Sequence, residues 1–103
     1  MRKTTEEWRP LKVIGSTVKA LRTAQGLTQG QLAARADMHE NYVWGIESGL
    51  RNVSAINLLH LAAALQVHPS ELWREFKISD LKRLPEKSAA RLRYGADTTR
   101  SKR

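Results

Sequence analysis

Apolar residues recur at helical spacing along most of this chain, and polar breaks divide them into five segments. From Leu11 onward Ile14, Val18 and Leu21 share one face, and Gly26 stands where a helix ending at Gln25 stops. A second segment, Thr28 to Arg35, turns Leu32 and Ala33 inward, and the Thr28 hydroxyl can accept an orphan N–H at its start. Ala36, Asp37 and Met38 form a three-residue break, with Ala36 opening the turn. The third segment, His39 to Ser48, buries only Val43 and Ile46 and leaves His39, Glu40, Asn41, Trp44, Gly45 and Ser48 facing outward. A helix so thinly anchored is made to present a face.

Gly49, Leu50, Arg51 and Asn52 read as a loop, with Gly49 suited to a left-handed cap. Ser54 can cap a fourth helix whose stripe of Leu58, Leu61, Ala62 and Leu65 is core. Pro69 suits the first position of a fifth helix running through Glu71, Leu72, Trp73 and Phe76. Leu72 completes the core, whereas Trp73 and Phe76 exceed what a domain this small can bury. The expected organisation is a flexible arm over residues 1–10, a helical domain over 11–76 and a basic extension over 77–103. In the arm, Trp8 either covers a hydrophobic edge or touches a partner chain. In the extension, residues 79–84 are expected to form one turn with Leu81 and Leu84 inward, and Pro85 to open another turn through Leu92. Beyond Gly95 nothing remains to bury, and mobility is expected.

Length and composition narrow the function. The 103 residues suffice for one small core, and no apolar run approaches a membrane span. The absence of cysteine excludes disulfides and thiolate metal sites, and His39, His60 and His68 lack zinc-ligand spacing, so no metal or cofactor is expected. Met1, Arg2 and Lys3 run straight into Glu6, Glu7 and Trp8 without the apolar stretch of a secretory leader, which makes the cytoplasm the expected location. No nucleophile–base arrangement, phosphate-cradling loop or carboxylate pair stands at useful spacing, so an enzyme is not expected. Of the net charge of +8, residues 77–103 carry +6 and the first 76 carry +2. The basic extension either adds affinity for phosphate without sequence preference or keeps the protein soluble.

The run from Thr28 to Gly49 resembles the helix-turn-helix of the Cro/C1 or XRE-type regulators, which include phage repressors and restriction-modification controller proteins. The likeness rests on Leu27-Thr28-Gln29, Leu32-Ala33, Val43 and Ile46-Glu47-Ser48-Gly49, and spreads from Gly15 to Leu72. It implies an all-α, five-helix, lambda-repressor-like DNA-binding domain. Carried over position by position, it places Thr28, Gln29, Ser48, Arg51 and Asn52 at the DNA and His39, Glu40, Asn41 and Tyr42 at the base-reading positions, with Trp44 one turn on. Gln29 would bond a phosphate and brace the third helix, or else be merely solvated. Arg22 and Glu47 resemble the family's internal ion pair. Asn can pair with adenine N6 and N7, His can donate to guanine acceptors, and Glu40, unusual there, can accept from cytosine N4 though it repels phosphate. Trp44 either packs on a sugar edge, meets a protein partner or leans on the neighbouring loop.

The resemblance implies a transcriptional regulator of double-stranded DNA, dimeric through Trp73 and Phe76, on an operator whose half-sites lie about 34 Å apart. The run from Arg51 to Asn57 looks like controller proteins in particular, and so points to autoregulation. Two alternatives remain open at this level. One is an antitoxin whose protein partner is a toxin. The other is an interaction module that keeps the fold without binding DNA.

Overall fold

The computed structural model describes residues 9–84. The expectations placed on Trp8 and most of the arm, on residues 85–92 and on the tail after Gly95 lie outside them. Four α-helices follow one another: α1 (Pro10–Ala24), α2 (Gln29–Ala36), α3 (Glu40–Glu47) and α4 (Ala55–Leu65). Two short 3-10 segments, Pro69–Trp73 and Ile78–Arg83, complete the described chain, which contains no strand.

Pro10 occupies the first position of α1, where its missing N–H has no intrahelical partner to lose. The helix closes at Gln25, and Gly26 continues the chain with φ of 72°. α4 starts on the Ser54 hydroxyl, which accepts the Asn57 N–H at 3.1 Å. Its far end is tied to α1 by Gln25, whose Nε2 donates to the Leu65 carbonyl at 2.6 Å.

α3 lies against both α1 and α2, while α4 and the Pro69–Trp73 segment close the opposite side. Val18, Leu32, Val43, Ile46, Leu61, Leu65 and Leu72 are fully enclosed, so each helix and the first 3-10 segment contributes to one core. Such side chains each contribute roughly 1.5–3 kcal/mol by leaving water. The closest crossing is at Gly15. A Cβ built there would overlap the Ile46 carbonyl oxygen and stand 2.7 Å from that of Glu47. Glycine is therefore the condition for α1 to reach the backbone of α3.

Four details depart from the pattern read in the sequence. Ala36 ends α2 and is buried, so the break begins one residue later, at Asp37. The fifth helix is a 3-10 segment that stops at Trp73 instead of running through Phe76; Leu72 is its one buried residue, too little to extend a helix. Leu81 and Leu84 do not point inward: they are 59% and 52% exposed, and the turn carrying them is held by Asp80, which accepts from the Lys77 N–H at 2.9 Å. Gly45, expected to face outward, is buried because a loop side chain folds over it.

Candidate nucleic-acid interface

The interface is built from the start of α2, the exposed side of α3 and the loop after it. α2 begins with a reciprocal cap. Thr28 Oγ1 accepts the Gln31 N–H at 3.0 Å, and the Gln31 side-chain oxygen accepts the Thr28 N–H at 2.8 Å. The turn into α3 depends on Asp37, which adopts a left-handed conformation with φ of 58°, a geometry that Asp tolerates better than branched residues. His39 is then the residue before α3, extended and exposed.

The far end of α3 is fixed by a buried charge network. Arg22 Nε and Nη2 donate to the two Glu47 carboxylate oxygens at 2.7 and 3.0 Å, and Arg22 Nη1 donates to the Leu27 carbonyl at 2.7 Å. Gln29 Nε2 adds a third bond to Glu47, at 3.0 Å. The two charged side chains are only 11% and 3% exposed. The hydrogen bonds that Arg22 donates to Glu47 hold its guanidinium above the usual arginine pKa despite its burial, so it stays cationic. α1, α2 and α3 thus meet at one carboxylate, and Gln29 is turned toward it.

At 100° per residue, Asn41, Trp44 and Ser48 occupy the middle of the side of α3 turned away from the core. Asn41 and Trp44 are exposed, the indole at 53%, and Ser48 is partly so. Glu40 borders this face on the α2 side. Its carboxylate approaches Gly30, within 3.3 Å of where a Cβ would stand, and forms no hydrogen bond or ion pair with the described residues. Tyr42 borders the other side, half-buried against the core instead of standing among the outward residues. Its ring lies under the Arg51 guanidinium, 5.5 Å from centroid to Cζ, and its hydroxyl accepts a bond from Asn57 Nδ2 at 3.1 Å. The Arg51 chain crosses Gly45 on the way, its Cγ 2.8 Å from the position of a Cβ. Asn52 is exposed beside it, and an open concavity runs from Asp37 past Asn41 and Tyr42 to Arg51 and Asn57.

The structure places His39, Glu40, Asn41, Tyr42 and Arg51 around one concavity, Trp44 and Ser48 on the exposed side of α3, Thr28 and Gln29 at the start of α2, and Asn52 exposed in the loop after α3. Trp73 closes the Pro69–Trp73 segment and Phe76 follows it, in a part of the chain packed on α1 and α4. Sequence reasoning overlooked Gln31, Gly30 and Asn57 as participants. The Thr28-x-x-Gln31 spacing is itself a capping-box signal; the contacts of Gly30 and Asn57 leave no comparable local mark.

Two short helices joined by a tight turn, the second held rigidly and exposed along one side, define a helix-turn-helix DNA-binding domain. A family model for the helix-turn-helix (HTH_3) matches residues 18–72, and the chain belongs to that family, the regulators of Cro/C1 or XRE type. It is a DNA-binding transcriptional regulator and not an enzyme. It is similar to the uncharacterized HTH-type transcriptional regulator y4dJ of Sinorhizobium fredii, with 41% identity over 61 residues, 59% of this chain and 79% of that protein. It is also similar to the control protein C.BamHI of Bacillus amyloliquefaciens, with 36% identity over 58% of this chain and 75% of that protein. Among solved structures, the restriction-modification controller protein C.AhdI of Aeromonas hydrophila superposes with a TM-score of 0.60. Its identity is 47%, over 60% of this chain and 94% of that one.

Proposed function

We propose that this protein is a homodimeric controller of transcription that binds a two-part operator and regulates its own gene. The observation that carries the proposal is the α3 face of Asn41, Trp44 and Ser48, held at a fixed angle by the Arg22–Glu47–Gln29 network and flanked by Arg51. Asn41 reads a base edge, and Gln29, Arg51 and Asn52 hold phosphates, which place the helix without specifying sequence. The names of C.BamHI and C.AhdI support the controller reading. The protein acts in the cytoplasm, associated with the nucleoid when bound to DNA.

Dimerisation is assigned to the surface bearing Trp73. Its indole is 48% exposed and packs on Phe76, with ring centroids 5.9 Å apart. Phe76 is partly drawn into the core, so Trp73 presents most of the apolar area. Closed two-fold symmetry would bury this patch and set the distance between the two α3 helices. Trp73→Asp is expected to give helical monomers that bind a single half-site normally but the full operator about a hundredfold more weakly, the loss that follows when two linked sites become independent. Sedimentation velocity and titration of both duplexes test this. A wild-type protein that sediments as a monomer at high micromolar concentration contradicts the dimer.

A further inference from the structure

The reading face is continuous with a side-chain relay that begins on α4, and the relay points to a residue outside the set that meets DNA. We infer that Asn57 is a positioning residue for DNA recognition: through Tyr42 it sets both a hydroxyl donor and the Arg51 guanidinium beside α3. The inference rests on the assignment of this face to DNA.

Asn57 is itself well placed to act as an anchor. Its backbone N–H is held by the Ser54 hydroxyl in the first turn of α4, and its amide nitrogen donates to the Tyr42 oxygen at 3.1 Å, across fifteen residues of sequence. That bond occupies an acceptor site on the phenol and leaves the phenol's own proton without a partner among the described residues. The proton is then available for an acceptor entering the concavity that Tyr42 shares with Asn41 and Arg51. A phosphate oxygen is the acceptor DNA would bring there. The fixed ring in turn supports the Arg51 guanidinium at 5.5 Å, while the missing side chain at Gly45 lets the Arg51 stem lie flat on α3. An arginine restrained at both its stem and its head loses less freedom on binding than a free one. Asn57 acts on DNA only through Tyr42, so its effect must depend on the Tyr42 hydroxyl.

A double-mutant cycle reads that dependence. The duplex is the one that wild-type protein selects from random DNA, and affinities are measured for wild type, Asn57→Ala, Tyr42→Phe and the double variant at one salt concentration. Each single change should weaken binding by about threefold to tenfold, the range for one hydrogen bond. In the Tyr42→Phe background, Asn57→Ala should change affinity by less than about twofold, because the bond it removes is already gone. Thermal melting of Asn57→Ala should stay close to wild type, since the residue is partly exposed. An equal loss in both backgrounds, or no loss for Asn57→Ala, overturns the inference and leaves the DNA-reading face standing. A wild-type protein that selects no duplex overturns the face assignment, and the inference with it.

Discussion

Arg22→Ala is expected to lower the stability of this domain by about 3–5 kcal/mol, the cost of leaving one member of a buried ion pair alone. The stranded group is the Glu47 carboxylate, 3% exposed, which would keep only the bond from Gln29. The change also frees the Leu27 carbonyl, which Arg22 satisfies at 2.7 Å. For a domain with about 5–15 kcal/mol in total, a loss of that size brings the unfolding midpoint down by well over about 10 °C. The pair's value lies in orientation more than in net energy. Replacing both partners, as Arg22→Met with Glu47→Met, should restore most of the stability, because two desolvated charges are exchanged for apolar contacts. The double variant should still bind its operator more weakly than wild type, with Gln29 and the end of α3 no longer tied together. Because Glu47 raises the Arg22 pKa, the guanidinium's contribution is complete at every pH below the ordinary arginine value and is lost only as pH rises through the still higher folded value. Thermal melts near neutral pH therefore measure it fully. A midpoint for Arg22→Ala within about 2 °C of wild type would show that the pair does not hold the fold.

Gly15→Ala should have the opposite sign from the usual glycine-to-alanine change in a helix. Elsewhere the added methyl favours the helix by about 1 kcal/mol. Here the methyl would occupy the space of the Ile46 and Glu47 carbonyl oxygens, which belong to backbone and cannot swing aside. α1 would have to lift from α3, at a cost of about 1–3 kcal/mol or more. The same displacement would disturb the network around Arg22, so affinity for DNA should fall as well. Gly30→Ala is the control: its methyl would meet only the mobile Glu40 carboxylate, 3.3 Å away, and stability should be unchanged or slightly higher. Urea titration of the two variants distinguishes these outcomes, and equal midpoints for both would contradict the close α1–α3 crossing.

Much of this architecture is written in local spacing. The stripe of Leu58, Leu61, Ala62 and Leu65 and the cap at Thr28 each follow from residues within a turn or two of one another, whereas α2 keeps Ala36, which spacing gives to the turn. Other features depend on contacts between distant segments. Periodicity places Gly45 outward, and only the return of the loop carries Arg51 back across it. Leu81 and Leu84 have helical spacing, but spacing supplies no partner, and the turn leaves both in solvent. The bond from Asn57 to Tyr42 and the crowding at Gly15 arise from packing of one helix on another. An isolated glycine within the α1 pattern was a sign of close approach, though not of which helix approaches.

The most direct measurement of base reading by α3 is selection of bound sequences from a random duplex pool with wild type, Asn41→Ala and Arg51→Ala. Wild type should recover a two-fold related site with half-sites about 34 Å apart. Asn41→Ala should lose preference at one base pair in each half, with a penalty of about 1–3 kcal/mol on the wild-type site. Arg51→Ala should weaken every duplex while preserving the selected sequence. If Asn41→Ala selects the same site with the same preference at every position, α3 does not read bases through this residue.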